Sequence, residues 1–130
     1  MYNTNNDIRS LKDIPNYEFG DRYKCDRLGS VYRVYIKDDK EDLYPMRPFI
    51  TRDGYVEYVL TDINKTKWHI QGQRIVAYLF IPKTDGKDYV NHKDLNRQNN
   101  KVENLEWVSH SENIKHSYDN NPFRGRRRFI

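Results

Sequence analysis

The stretch VNHKDLNRQNNKVENLEWVSHSENIKH, residues 90–116, decides how this chain is read. It holds His92, His110 and His116, and asparagines at Asn91, Asn96, Asn99, Asn100, Asn104 and Asn113. Amides and imidazoles at this density make a poor hydrophobic core, because each buried polar group demands a partner. They suit a metal ion, a phosphate and an activated water. The local pattern reads strand, long loop, strand, helix. Residues 89–92 and 105–108 are short apolar strands. Residues 94–104 form a loop, since Asn side chains compete with regular structure for backbone hydrogen bonds. A helix over residues 112–118 can be capped by Ser109 or Ser111 and is stopped by Asn120, Asn121 and Pro122.

Upstream, residues 73–80 place Ile75, Val76, Leu79 and Phe80 on one face at helical spacing. Pro82 ends that helix, and Gly86 turns the chain. Before it the pattern is strand-like. Residues 30–36 are rich in β-branched and aromatic side chains behind a turn at Gly29. Residues 55–60 and 67–70 read as two strands joined by TDINKT, where Asp62 and Asn64 suit a turn. Residues 37–42, KDDKED, read as a charged loop. The fold class expected is α+β: a polar arm over residues 1–13, an antiparallel β module over 14–71, a second module over 72–119, and a basic tail over 120–130.

Composition sets the outer bounds. The 130 residues favour one compact unit and are 36% hydrophobic, 14% aromatic and 32% charged. Eleven tyrosines against five phenylalanines suggest half-buried rings with wet tips. The formal net charge of +4 leans towards polyanionic partners. Cys25 is the single cysteine, which excludes an internal disulfide and cysteine-rich zinc sites. The first residues, MYNTNNDIRSLKD, lack the apolar run of a signal peptide. No stretch approaches the roughly 18–20 apolar residues of a membrane span. A protein of the cytoplasm with no membrane association is expected.

The asparagine-rich segment fits one chemistry in particular. Hydrolysis of a phosphodiester requires that a water lose a proton, that charge on the phosphate be stabilised, and that the leaving oxygen be neutralised. One imidazole and one divalent metal cover all three. A hard cation keeps several waters, so two protein oxygens suffice. Asn91 and His92 point to opposite faces of their strand and can hold different tasks. Asn113, in the first turn of the last helix, can return beside them as a second ligand. Asn104, at the end of the loop, can fix the backbone that carries His92.

These residues resemble the HNH endonuclease motif, in the form found in phage and intron-encoded homing endonucleases. The shared pattern is carried by Val90, Asn91, His92, Asp94, Asn96, Asn99, Asn100, Asn104, Leu105, Trp107, Val108, Glu112 and Asn113. Residues 74–82 are similar to the family's preceding helix, and residues 14–29 to a small β module often fused in front. The resemblance implies a ββα-metal fold and cleavage of double-stranded DNA with Mg²⁺ or Mn²⁺. It implies that His92 is the general base, that Asn91 and Asn113 bind the metal, and that Asn104 is the loop-fixing member of the catalytic set. Three positions depart from the pattern: Leu95 stands where a glycine is usual, Gln73 where relatives commonly have histidine, and Asn91 is neutral where some members have Asp.

DNA contacts are expected from Arg74, Lys93, Arg97 and His116 around the motif, from Arg33, Arg52 and Lys67 on the sheets, and from Arg126 in the tail, since arginine and lysine supply backbone affinity. A single centre in one chain suggests a nicking monomer unless the chain dimerises. Two other readings stand beside this one. One is an HNH-fold DNA-binding or regulatory phage protein with little or no turnover; the other is a nicking nuclease associated with phage packaging.

Overall fold

Residues 31–36, Val-Tyr-Arg-Val-Tyr-Ile, are β-branched and aromatic except for Arg33, the composition of a strand. In the computed structural model, which describes residues 7–119, this segment is the centre of a four-stranded antiparallel sheet. Its strands are β1 (Ile8–Ser10), β2 (Tyr23–Asp26), β3 (Val31–Lys37) and β4 (Lys40–Pro45), in that spatial order. Val31 and Val34 are buried, while Ile36 faces solvent.

Two sequence expectations change here. Residues 37–42 are a hairpin and not a loop. Asp38 and Asp39 both adopt left-handed φ values, 52° and 62°, and Lys37 pairs with Lys40 across them. That conformation matches the twist of paired strands, so Lys40, Glu41 and Asp42 join the ladder despite lacking any apolar residue. Residues 8–13 are likewise no loose arm. Ile8 pairs with Asp26, and Leu11, in a short 3-10 turn capped by Ser10, is fully buried.

A second antiparallel sheet holds β5 (Phe49–Ile50), β6 (Val56–Thr61) and β7 (Lys67–Gln71). Tyr58, Leu60 and Ile70 point into the core. The turn after β6 is built by Asp62, as expected. Its Oδ1 accepts from the backbone N–H groups of Asn64 (2.8 Å) and Thr66 (2.9 Å), and its Oδ2 from Trp68 Nε1 (2.9 Å). The Trp68 hydrogen bond is the main cause holding this carboxyl below its usual range.

Helix α1 (Gly72–Phe80) follows β7 directly. Ile75, Val76 and Leu79 are buried as their spacing predicts, and Ile81 turns extended ahead of Pro82. One apolar cluster runs from Leu11, Phe19 and Cys25 of the first sheet region through Leu60 to Ile75, Val76, Val102 and Leu105. The first half of the chain and the asparagine-rich segment therefore share a core across α1. Cys25 lies at its centre, fully buried, with its thiol pushed well above its usual pKa by burial.

The last elements are β8 (Tyr89–His92), β9 (Leu105–Val108) and α2 (His110–Asp119). The two strands pair antiparallel, Asn91 opposite Glu106 and His92 opposite Leu105. The cap of α2 is Ser109. Its Oγ accepts from Glu112 N (3.1 Å) while Glu112 Oε1 accepts from Ser109 N (2.9 Å), a reciprocal capping box. The helix accordingly starts at His110, earlier than the sequence alone suggests. No described helix is long and apolar enough to cross a membrane.

Because Leu60 is fully buried where the two halves meet, Leu60→Ala should cost about 2–5 kcal/mol in urea unfolding. Ile36→Ala, on the open face of β3, should stay within about 0.5 kcal/mol.

Candidate active site

The loop between β8 and β9 is tied by its own side chains. Asp94 Oδ1 accepts from Asn96 N (2.8 Å) and from Asn104 Nδ2 (2.9 Å), and Asp94 Oδ2 accepts from Asn99 Nδ2 (2.8 Å). Asn104 adds two more bonds: Oδ1 accepts from Asp94 N (3.0 Å), and Nδ2 donates to the Asn99 carbonyl (2.8 Å). Lys93 N also donates to the Asn104 carbonyl. The Asp94 carboxyl is held below its usual range, first by the Asn99 amide and then by the Asn96 N–H. Asn104 is buried and closes the loop that follows His92. Leu95 has φ +67°. It occupies the left-handed conformation that a glycine adopts without steric cost, which explains why the related motif carries glycine there.

His92 and Asn91 are both buried at the end of β8. His92 Nε2 lies 2.8 Å from Asn100 Oδ1. An amide oxygen only accepts, so Nε2 carries the proton and Nδ1 is the ring's lone pair. Burial is the main cause lowering the His92 pKa from its ordinary value; Arg97 works the same way, against the opposing pulls of Asn100 and Asp94. The ring is tilted against Tyr55 at 6.2 Å, and Tyr55 in turn carries Arg97 over its face at 4.7 Å.

Asn91 Nδ2 donates to Glu106 Oε2 (2.8 Å), which fixes the amide and reserves its oxygen for another partner. Glu106 was not singled out from the sequence. Its place opposite Asn91 depends on the strand register, which no local pattern reveals. Asn113 stands in the first turn of α2, its N–H bonded to the Ser109 carbonyl, on a helix that packs against both β8 and β9. No group of three His, Cys, Asp or Glu able to hold a metal occurs among the described residues. A cation here would rely on amide oxygens together with water. Hard, oxygen-rich and weakly charged, that donor set fits Mg²⁺ or Mn²⁺ better than zinc.

The residues expected to meet DNA are distributed unevenly. Arg97 Nη1 donates to the Asp53 carbonyl (2.6 Å), bringing the 52–54 turn with Arg52 beside the asparagine loop. Lys93 is exposed next to His92. Arg74 turns inward instead, donating to the Asp88 carbonyl and Tyr78 Oη and stacking near Trp107. Its position is explained by joining α1 to β8. Arg33 lies on the first sheet, over Tyr35 at 4.5 Å, in a basin of about 810 Å³ lined also by Arg22, Lys37 and Tyr44. Lys67 is exposed on β7, and His116 lies partly exposed on α2. Arg126 lies outside the described residues. Trp107 is a core ring, its Nε1 donating to the Ile81 carbonyl.

Residues 72–115 match the family model described as HNH endonuclease. The chain is 35% identical over 104 residues to DNA endonuclease I-HmuI of Bacillus phage SP01, covering 80% of this chain and 55% of that enzyme. It is 33% identical over 126 residues to an uncharacterized HNH endonuclease, L247, of Acanthamoeba polyphaga mimivirus, covering 92% of this chain and 29% of the relative. A solved structure of DNA binding and cleavage by the HNH homing endonuclease I-HmuI superposes with a TM-score of 0.66 at 27% identity, over 87% of this chain and 58% of that one. The chain therefore spans little more than half of the phage enzyme and less than a third of the mimivirus relative.

Two substitutions test the loop. Asn104→Ala strands the Asp94 N–H and the Asn99 carbonyl and should destabilise the protein by about 1–3 kcal/mol in chemical denaturation. Leu95→Gly relieves the left-handed strain and should stabilise it by up to about 1 kcal/mol, the gain reduced by glycine's greater unfolded-state freedom.

Proposed function

We propose that this chain, whose residues 72–115 match an HNH endonuclease family model, is a divalent-metal-dependent DNA endonuclease that hydrolyses phosphodiester bonds. The observation that carries the reading is the state of His92. Its Nε2 is committed to Asn100, and burial lowers its pKa, which favours the neutral ring. The lone pair on Nδ1 is therefore the group that takes a proton from water. The water oxygen attacks phosphorus, the bond from phosphorus to the 3′ oxygen breaks, that oxygen takes a proton from solvent, and the products carry a 5′ phosphate and a 3′ hydroxyl.

Asn91 and Asn113 would hold the metal through their amide oxygens, and Glu106, by accepting from Asn91 Nδ2, would keep that amide turned for the task. A bound Mg²⁺ or Mn²⁺ supplies positive charge for the phosphate and the leaving oxygen. Asn104 maintains the loop geometry behind His92. Arg52, Lys93 and Arg97 track the duplex beside the site. Arg33 and Lys67 extend the contact along the sheets, His116 and Arg126 from the C-terminal side, and Arg74 through its place on α1. Cleavage is of one strand by a monomer, or of both strands if the protein dimerises, in the cytoplasm, which is the host cell's if the chain is phage-encoded. The presence of both His92 and Asn113 favours turnover over a binding-only role.

Relaxation of supercoiled plasmid with Mg²⁺, with and without EDTA, tests this. His92→Ala should lower the rate by about 10²–10⁴, and EDTA should abolish it. The wild-type rate should fall in acid with a midpoint below the ordinary imidazole value of about 6.5, because a lowered pKa delays protonation of the base. Equal cleavage by wild type and His92→Ala would refute the assignment.

A further inference from the structure

Asn100 reads in the sequence as one loop asparagine among several, and the fold sets it apart. It is 5% exposed, whereas its neighbours Gln98 and Lys101 are exposed. Its Oδ1 meets His92 Nε2 at 2.8 Å. Two glycines from distant parts of the chain enclose it. A Cβ added at Gly29, in the turn between β2 and β3, would lie 3.1 Å from both the Cβ and the backbone oxygen of Asn100. A Cβ added at Gly72, the first residue of α1, would lie 2.7 Å from its Nδ2. Two residues on, Val102 N donates to the Arg27 carbonyl (3.0 Å), and Tyr58 Oη donates to the Gly29 carbonyl (3.3 Å). The Asn100 amide is thus locked against the first sheet and α1 while its oxygen reaches the imidazole.

We propose that Asn100 is the positioning residue for His92. Its amide oxygen fixes the ring's orientation and its Nε2–H tautomer, and Gly29 and Gly72 are the space that makes this possible. The inference rests on His92 being the base. In this role Asn100 acts through the imidazole that its oxygen meets. A buried Nε2–H deprived of its acceptor would be left unsatisfied, so the ring would turn to find another partner and Nδ1 would leave its line to the water. Partners of this kind behind a working histidine are commonly worth about 10–100-fold in activity.

The test uses the full chain with three substitutions. Asn100→Leu keeps the volume and removes the acceptor. Asn100→Asp keeps an acceptor oxygen. Gly72→Ala leaves the His92 side chain itself unchanged and places a methyl against the amide, with Val56 and Tyr58 as its next neighbours, at a position whose φ is not left-handed. The first readout is the His92 ring in ¹H–¹⁵N spectra recorded without DNA or metal, where the wild type should show a slowly exchanging, hydrogen-bonded Nε2–H. The second is plasmid nicking in Mg²⁺, with kcat and KM separated. Asn100→Leu should lose that ring signal and drop kcat about 10–100-fold with KM unchanged. Gly72→Ala should move both in the same direction, and Asn100→Asp should retain the signal and most of kcat. If circular dichroism shows that Asn100→Leu does not fold, Gly72→Ala decides. Wild-type ring signals in the deciding variant, or altered signals with unchanged kcat, overturn the proposal. Full activity in His92→Ala would instead strike the base assignment, so the two failures are separable.

Discussion

The side-chain amide of Asn104 is the constraint on which the rest of the site depends. A polar loop between two short strands brings many backbone donors and acceptors with little apolar surface to hold it. Asn104 answers with both ends of its amide, and Asp94 gathers the remaining donors from Asn96 and Asn99. Closure of that ring of bonds lets β8 and β9 pair with so few residues. It sets His92 and Asn91 at the end of a strand with their backbone fixed.

Much of this was legible from residues 90–116. Their strand–loop–strand–helix order follows from where apolar runs stop and asparagines begin, and the structure reproduces both strand ranges. The helix cap stayed open between Ser109 and Ser111 because either serine fits; the reciprocal bond with Glu112 resolves it. What could not be read depends on contacts distant in sequence or on backbone conformation. Leu11 looks like part of a polar arm because only one apolar side chain anchors it. Residues 37–42 hide a hairpin because its register comes from the left-handed pair Asp38 and Asp39, with no hydrophobic alternation to announce it. Asn100 and Glu106 acquire meaning only when Gly72 and Asn91 are brought beside them.

The basic residues show how charge and placement part company. Sequence treats Arg74, Arg97 and Arg33 alike. In the fold, Arg74 is drawn into joining α1 to β8, and Arg97 bridges the asparagine loop to the 52–54 turn. Arg97 therefore links the second sheet to the ground beside His92, through Tyr55. The two halves of the chain meet at this point with aromatic and cationic surface, which suits a partner with a continuous negative backbone.

Cys25, sealed in the shared core with its thiol protonated, has a use unrelated to the chemistry at His92. A thiol reagent can reach it only when the sheet and α1 separate, because the reactive thiolate is both hidden and disfavoured. Labelling kinetics at this one sulfur would therefore time the opening of the whole core. Motions of the asparagine loop alone would leave it silent. The chain thus carries its own clock for telling global unfolding from local rearrangement at the site.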